Sequence, residues 1–282
     1  MTTSIRLEIT GSYERMPLLA TLAAHAVPGL ESTDRERLSH TRVIATSAGP
    51  TLVTVRFRDD HLLLDLDRPA EPELLPRLRR WFDLDTDPSS LSAALGADPV
   101  IGPLVLARPG LRILGSIDGF ETAVLTVLGQ QVSLAAARTF GARLVRRYGI
   151  ESAAGYYSFP SAATLAAAPI PELQQVIGLP ASRARSIHAV AAACADGLAI
   201  DPFGDHAEIR RRLLELPGIG PWTVEYLAFR ALGDRDAFPA DDLVLKRALG
   251  VGTATETRAM AEAWRPLRAY AVMHLWTVAA YA

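Results

Sequence analysis

The chain has 282 residues, 49% apolar and 21% charged, a balance that fits a soluble globular protein and excludes both a disordered and a membrane-spanning one. A formal charge of −2 at pH 7 provides no broad basic surface, so any polyanion must be held locally, by oriented backbone donors. Cys194 is the only cysteine, which excludes an internal disulfide, a cysteine-built zinc site and an iron–sulfur cluster by count.

Taken from the N-terminus, Met1 to Ser4 lead into an amphipathic stretch and not into a signal peptide. No apolar run approaches the roughly 20 residues a bilayer span requires, so a cytoplasmic protein with no membrane partner is expected. Pro17 to Ala26 has the pattern of an amphipathic helix. Residues 41–46, 51–57 and 61–66 alternate or are rich in β-branched residues, and the short turns between them predict antiparallel hairpins. Glu73 to Phe82 reads as a helix with Leu74, Leu75, Leu78 and Trp81 on one face. Beyond Pro88 strand signals give way to helical patterns joined by connectors such as Arg108-Pro109-Gly110 and Asp201-Pro202-Phe203-Gly204. The expected architecture is an α+β N-terminal domain over 1–88, an antiparallel sheet with helices, followed by an all-α region over 89–282.

Within that region Leu216-Pro217-Gly218-Ile219-Gly220-Pro221-Trp222-Thr223 joins two helical patterns, placing a hairpin near 206–232. Two glycines flanking one apolar residue permit a turn too tight for side chains, and Pro221 suits the first position of the next helix. That helix can then offer its unpaired N–H groups to an anion. About twenty residues later Asp241 and Asp242 precede Leu243-Val244-Leu245-Lys246, at the start of a further helix. One aspartate is expected to cap the helix, while the other, kept ionised by the helix dipole, is available for chemistry. The six histidines are scattered without ligand spacing, so no catalytic metal is expected. Tyr13, His25 and Arg42 carry no motif.

These segments resemble the helix-hairpin-helix DNA glycosylases, and within them the bacterial 3-methyladenine DNA glycosylase II (AlkA) group. Ala107-Arg108-Pro109-Gly110-Leu111-Arg112, Val127-Leu128-Gly129-Gln130-Gln131-Val132-Ser133, Trp264-Arg265-Pro266 and Tyr270-Ala271-Val272-Met273-His274-Leu275-Trp276 follow the same group's order. The resemblance implies an all-α helix-hairpin-helix glycosylase fold, with two helical subdomains flanking a cleft. It implies a monomeric enzyme that removes alkylated purines, of the 3-methyladenine or 7-methylguanine type, from damaged double-stranded DNA, leaving an abasic site. The family's catalytic aspartate stands four residues before a basic residue, which points to Asp242, with Lys246 as that residue.

The same resemblance implies a base pocket of Trp222, Tyr226 and Trp276, whose electron-rich rings attract a cationic methylated purine. Leu243 and Thr21 occupy positions where the family puts further aromatics. Gly218, Ile219, Gly220 and Thr223 are implied at the DNA backbone, with Gln130 and Gln131 where the family inserts an aliphatic wedge into the gap left by the flipped base. No cofactor is required; a structural monovalent cation on the main-chain carbonyls of Leu214, Leu216 and Ile219 is implied. Strand-cutting relatives carry a Schiff-base lysine two residues after the second hairpin glycine, where this chain has Trp222, so a monofunctional enzyme is expected. The alternatives are a non-catalytic protein that binds DNA structure and a glycosylase for other damaged bases.

Overall fold

A computed structural model describes residues 3–280. The first part contains β1 (Thr3–Glu8), α1 (Arg15–His25), β2 (Glu31–Asp34), β3 (Ser39–Thr46), β4 (Gly49–Phe57), β5 (His61–Leu66) and α2 (Leu74–Trp81). The strands form one antiparallel sheet in the order β1-β5-β4-β3-β2. Alternation explains its buried face. Val53, Val55 and Phe57 of β4 pair in register with Leu66, Leu64 and Leu62 of β5, and all six are fully buried. Leu18, Leu19 and Leu22 of α1 and Leu74, Leu78 and Trp81 of α2 cover them to complete one apolar core.

The sheet has two strands beyond those predicted. β2, Glu31-Ser32-Thr33-Asp34, has no apolar residue and pairs only with β3, as expected of a protected polar edge. β1 pairs with β5 across a long stretch of intervening chain, a partnership local pattern does not specify.

The rest is helical: α3 (Pro88–Leu95), α4 (Gly102–Ala107), α5 (Gly119–Gly129), α6 (Leu134–Tyr148), α7 (Ala162–Ala167), α8 (Ile170–Ile177), α9 (Ala181–Ala195), α10 (His206–Leu214), α11 (Pro221–Arg230), α12 (Leu243–Leu249), α13 (Ala254–Ala261) and α14 (Arg268–Ala280), with two 3-10 turns. Side-chain caps start many of these helices, among them Asp118 on α5, Ser133 on α6, Asp205 on α10 and Thr253, with Glu256 in a capping box, on α13. α11 starts on Gly220 with no side-chain cap. No helix among the described residues is long and apolar enough to cross a membrane.

The two parts meet along a polar and apolar seam. Leu114 and Ile117 belong to the sheet core, whereas Val27 and Leu30 belong to the helical core. Arg112 is buried and donates to the carbonyls of Thr10, Ser12 and Thr86. Gly110 permits this approach, because a Cβ there would lie 2.8 Å from the backbone of Ser12 and Tyr13. From the far end, Tyr270 of α14 donates to Asp83 at 3.0 Å. The Arg-Pro-Gly-Leu-Arg and Tyr270 motifs therefore join the sheet to the helices.

Candidate active site

The seam opens into a cleft of about 850 Å³, lined by Thr21, His25, Arg42 and Glu121 on one side and by Trp222, Tyr226, Asp242 and Trp276 on the other. Asp242 is 9% exposed and lies at the N-cap of α12. Its Oδ1 accepts from the backbone N–H groups of Val244 and Leu245, both at 3.0 Å, and from Trp276 Nε1 at 3.1 Å. Its Oδ2 accepts from Trp222 Nε1 at 3.0 Å. Four N–H donors thus meet this carboxylate. Oδ1 accepts three hydrogen bonds and Oδ2 one, so Oδ2 is the oxygen with a lone pair to spare, in a residue that lines the cleft.

The expected division of labour between the two aspartates takes a different form. Asp242 itself caps α12 through one oxygen and presents the other to the cleft. Asp241 is exposed and pairs with Lys246 Nζ at 2.8 Å, which holds its carboxyl below the usual aspartate range.

The aromatic wall follows from spacing on α11. Trp222 and Tyr226, one turn apart, stack with centroids 5.2 Å apart and planes at 15°. Trp276 closes on Tyr226 at 6.0 Å and is braced edge-on by Phe229 at 5.3 Å. Leu243 is not brought into this wall: as the first residue of α12 it is 64% exposed, and Val244 lines the cleft in its place. Thr21 does line it, with its hydroxyl bonded back to Pro17 O.

The segment leading to Asp242 is tied to α10 and α11 by charged pairs. Arg210 of α10 bridges Glu225 of α11 at 3.3 Å and Asp234, while Glu225 accepts from Phe238 N at 3.0 Å. These groups fix the segment that leads into Asp242. Sequence reading passed over them because their partners are scattered along the chain.

The hairpin occupies the mouth. Gly218 has φ +78°, a left-handed value, and a Cβ there would collide with Ser186 Oγ of α9. Gly220 has ordinary extended backbone, and a Cβ on it would meet nothing within 4 Å. Ile219 and Thr223 are both buried. Leu216 O already accepts from Ile219 N at 3.2 Å. Among the described residues no cluster of His, Cys, Asp and Glu could hold a metal ion.

Gln130 and Gln131, paired in the sequence reading, take different places. Gln130 Nε2 donates to Gly218 O at 3.0 Å and to Thr223 Oγ1 at 3.3 Å, and its carbonyl accepts from Arg183, so it staples the α5–α6 turn to the hairpin. Gln131 is exposed at the tip with φ +55°.

The opposite wall holds residues that carried no motif. Arg42 forms a bidentate pair with Glu121 at 2.7 and 2.8 Å and reaches Glu31 at 3.2 Å, all within the interior. Burial, and the neighbouring Glu31, push the Glu121 carboxyl up to about 7. Burial also acts on Glu31, but Arg42 and His40 outweigh it and hold that carboxyl at about 2. Tyr13 donates to Phe82 O at 3.2 Å and is structural. His274 is buried away from the carboxylate, its pKa lowered to about 4 chiefly by burial.

The fold is thus a helical body backed by a sheet, with a capped carboxylate and a glycine hairpin on one cleft. Residues 4–118 match the AlkA N-terminal domain and residues 124–268 match the HhH-GPD superfamily base excision DNA repair protein. The chain belongs to the HhH-GPD superfamily. It is 40% identical, over 98% of its length, to the probable bifunctional transcriptional activator/DNA repair enzyme AlkA of Mycobacterium tuberculosis, but spans only 57% of that protein. It is 34% identical to DNA-3-methyladenine glycosylase 2 of Escherichia coli K12, covering 94% of this chain and 93% of the relative. A 3-methyladenine DNA-glycosylase from Archaeoglobus fulgidus shares the fold, with a TM-score of 0.83 at 22% identity over 97% of this chain and 98% of that one.

Proposed function

We propose that the chain is a monofunctional DNA glycosylase of base excision repair. It binds damaged duplex DNA as a monomer, flips an alkylated purine into the aromatic cleft and hydrolyses the N-glycosidic bond. The observation that carries this reading is Asp242, a buried carboxylate gripped by two backbone and two indole donors at the floor of a cleft walled by stacked rings. Ring methylation makes the base a good leaving group, so the demand on the protein is to stabilise positive charge on the sugar as the bond breaks. Oδ2 supplies that charge and orients water for attack. The cationic purine is attracted to the faces of Trp222, Tyr226 and Trp276.

Trp222 in place of the Schiff-base lysine supports hydrolysis by water. Lys246, the sole lysine, is paired with Asp241 at 2.8 Å. Duplexes containing 3-methyladenine or 7-methylguanine are expected to yield free base, with strand breaks only after hot alkali and no borohydride-trapped adduct. Efficient strand cleavage at neutral pH, or an adduct lost in Lys246→Ala, would overturn the monofunctional assignment.

At the mouth, the uncapped N-terminus of α11 suits a DNA phosphate, and the carbonyls of Leu214, Leu216 and Ile219 suit a monovalent cation beside it. Gln131 is the wedge that fills the gap left by the flipped base. Its left-handed backbone is strained for a non-glycine residue, and such strain collects at functional positions. The two glycines separate folding from binding. Gly218→Ala is expected to lower the melting temperature, because both its φ and Ser186 oppose a side chain. Gly220→Val should melt like the parent yet bind damaged and undamaged duplex more weakly, about equally, since a phosphate contact carries no lesion information. A loss confined to damaged DNA would contradict the phosphate role.

A further inference from the structure

A second, larger cavity of about 1110 Å³ shares the Arg42–Glu121 wall with the cleft, but neither Asp242, the stacked rings nor the hairpin lines it. Arg77, Arg80, Arg230 and Arg235 do, and among the described residues none of the four has a carboxylate within ion-pair distance. The acids of the same lining are engaged elsewhere. Asp85 pairs with Arg79 and Glu121 with Arg42, Asp118 caps α5, Asp83 accepts from Thr86 and Tyr270, and Asp201 accepts from its own loop. Gly115 lets the C-termini of α2 and α11 meet here, since a Cβ on it would lie 3.0 Å from Arg80 O and 3.5 Å from Arg230 O. Each helix end carries roughly half a negative charge, so together they offset about one of the four cations. In a chain of formal charge −2 this positive chamber is a local construction.

An aromatic ring stands at its rim. Phe203 is 77% exposed, and Asp201 holds its loop by accepting from Phe203 N at 2.8 Å and Gly204 N at 3.2 Å. The Arg80 guanidinium carbon lies 4.8 Å from the centroid of this ring. An arginine on an aromatic is a common surface pair; the chamber of further cations beside it sets this one apart. Arg77 spends its donors on the carbonyls of Ala45 and Ile117, and Arg235 donates to Thr86 Oγ1 at 2.6 Å. Arg80 has no side-chain hydrogen bond among the described residues, and burial and then Arg77 lower its guanidinium from the ordinary value. Its donors are therefore unspent, beside the exposed ring. A cationic groove with an aromatic platform is the combination that holds nucleotides without reading their sequence. We infer that this cavity is a second binding site, for a nucleoside phosphate, with Phe203 stacking on the base and Arg80, backed by Arg77 and Arg235, meeting the phosphate. Free nucleotides and single-stranded DNA both present that unit. The site is distinct from the cleft and does not depend on the glycosylase reading.

The test is calorimetric titration of the full chain with thymidine 5′-monophosphate, a short oligothymidylate, thymidine and inorganic phosphate, each with and without saturating abasic-analogue duplex. The monophosphate or the oligonucleotide is expected to bind equally well in the presence of duplex, and thymidine and phosphate far more weakly. Phe203→Ala should weaken that binding by roughly tenfold or more, the scale of one base–aromatic stack. Arg80→Gln should weaken it as well and, for the oligonucleotide, reduce the slope of log affinity against log salt by about 0.7, one phosphate contact on a single strand. Both side chains are exposed, so both variants should melt like the parent and release 7-methylguanine at its rate. Tighter binding of the monophosphate identifies a free nucleotide as the ligand, and tighter binding of the oligonucleotide a strand. Displacement of both probes by duplex would overturn the inference, since they would then lie in the cleft. So would inorganic phosphate binding as tightly as the nucleotide, no binding of either nucleotide probe, or unchanged affinity in both variants. If one variant melts early, the other decides.

Discussion

Asp242→Asn is expected to lower base release by roughly a thousandfold, the upper end of what one electrostatic contact to a transition state contributes. The structure also defines what the substitution leaves intact. Asparagine is as good an N-cap as aspartate, and with its carbonyl at the Oδ1 position it would still accept from Val244 N, Leu245 N and Trp276 Nε1. Its amide nitrogen then replaces Oδ2 and faces the donor of Trp222, so one charged hydrogen bond is lost, about 1.5–3 kcal/mol of stability. The variant should therefore fold, melt a few degrees lower, and hold abasic-analogue duplex with affinity close to the parent's. Asp241→Asn breaks only the exposed pair with Lys246 and should leave base release near the parent rate. Single-turnover release of 7-methylguanine, together with a melting curve for each variant, decides it. Essential Asp241 and dispensable Asp242 would reverse the assignment.

The second large effect is on stability. Arg42→Met removes the one guanidinium shared by two buried carboxylates and is expected to destabilise the fold by about 3–5 kcal/mol. Its pH dependence is diagnostic. Without Arg42, both carboxyls have folded-state pKa values raised by burial and mutual repulsion, so stability is greatest at low pH and is lost as they ionise. The deficit relative to the parent should therefore widen from pH 5 to pH 8. In the parent the two groups oppose each other. Glu31, depressed to about 2, contributes stability above its unfolded value that is lost as pH falls through about 2. Glu121, raised to about 7, contributes stability below its unfolded value that is lost as pH rises through about 7. A melting-temperature difference that does not change between pH 5 and pH 8 would argue against this reading of the cluster.

What could be read in the sequence was what local chemistry dictates. β3, β4 and β5 were legible from alternation, and the hairpin from two glycines and a proline, because each is fixed within a few residues. The place of Asp242 at the start of a helix was legible for the same reason. β2 was not, since a polar edge strand has no pattern of its own and exists through β3. The N-terminal wall of the cleft was equally hidden: Arg42 and Glu121 meet across 79 positions. Leu243 illustrates a different limit. Successive residues on a helix differ by about 100° in direction, so Leu243, the first residue of α12, is exposed while Val244 beside it lines the cleft. Asp241 and Asp242 were not expected to differ as they do, with Asp242 capping α12 through Oδ1 while its Oδ2 meets Trp222, because a carboxylate has two oxygens that one residue can use separately.

The seam closed by Arg112 has a consequence for the order in which competence is acquired. The hairpin is built from neighbours in sequence, whereas the pocket is built from walls far apart in the chain, joined along a seam where Arg112 donates to the carbonyls of Thr10, Ser12 and Thr86. A chain folded only in its helical part would possess a loop shaped for an anion and have no chamber to receive a base. On the reading proposed above, grip is a local property of this molecule and hydrolysis a global one, so that a copy still unassembled at the seam would hold an anion without breaking a bond.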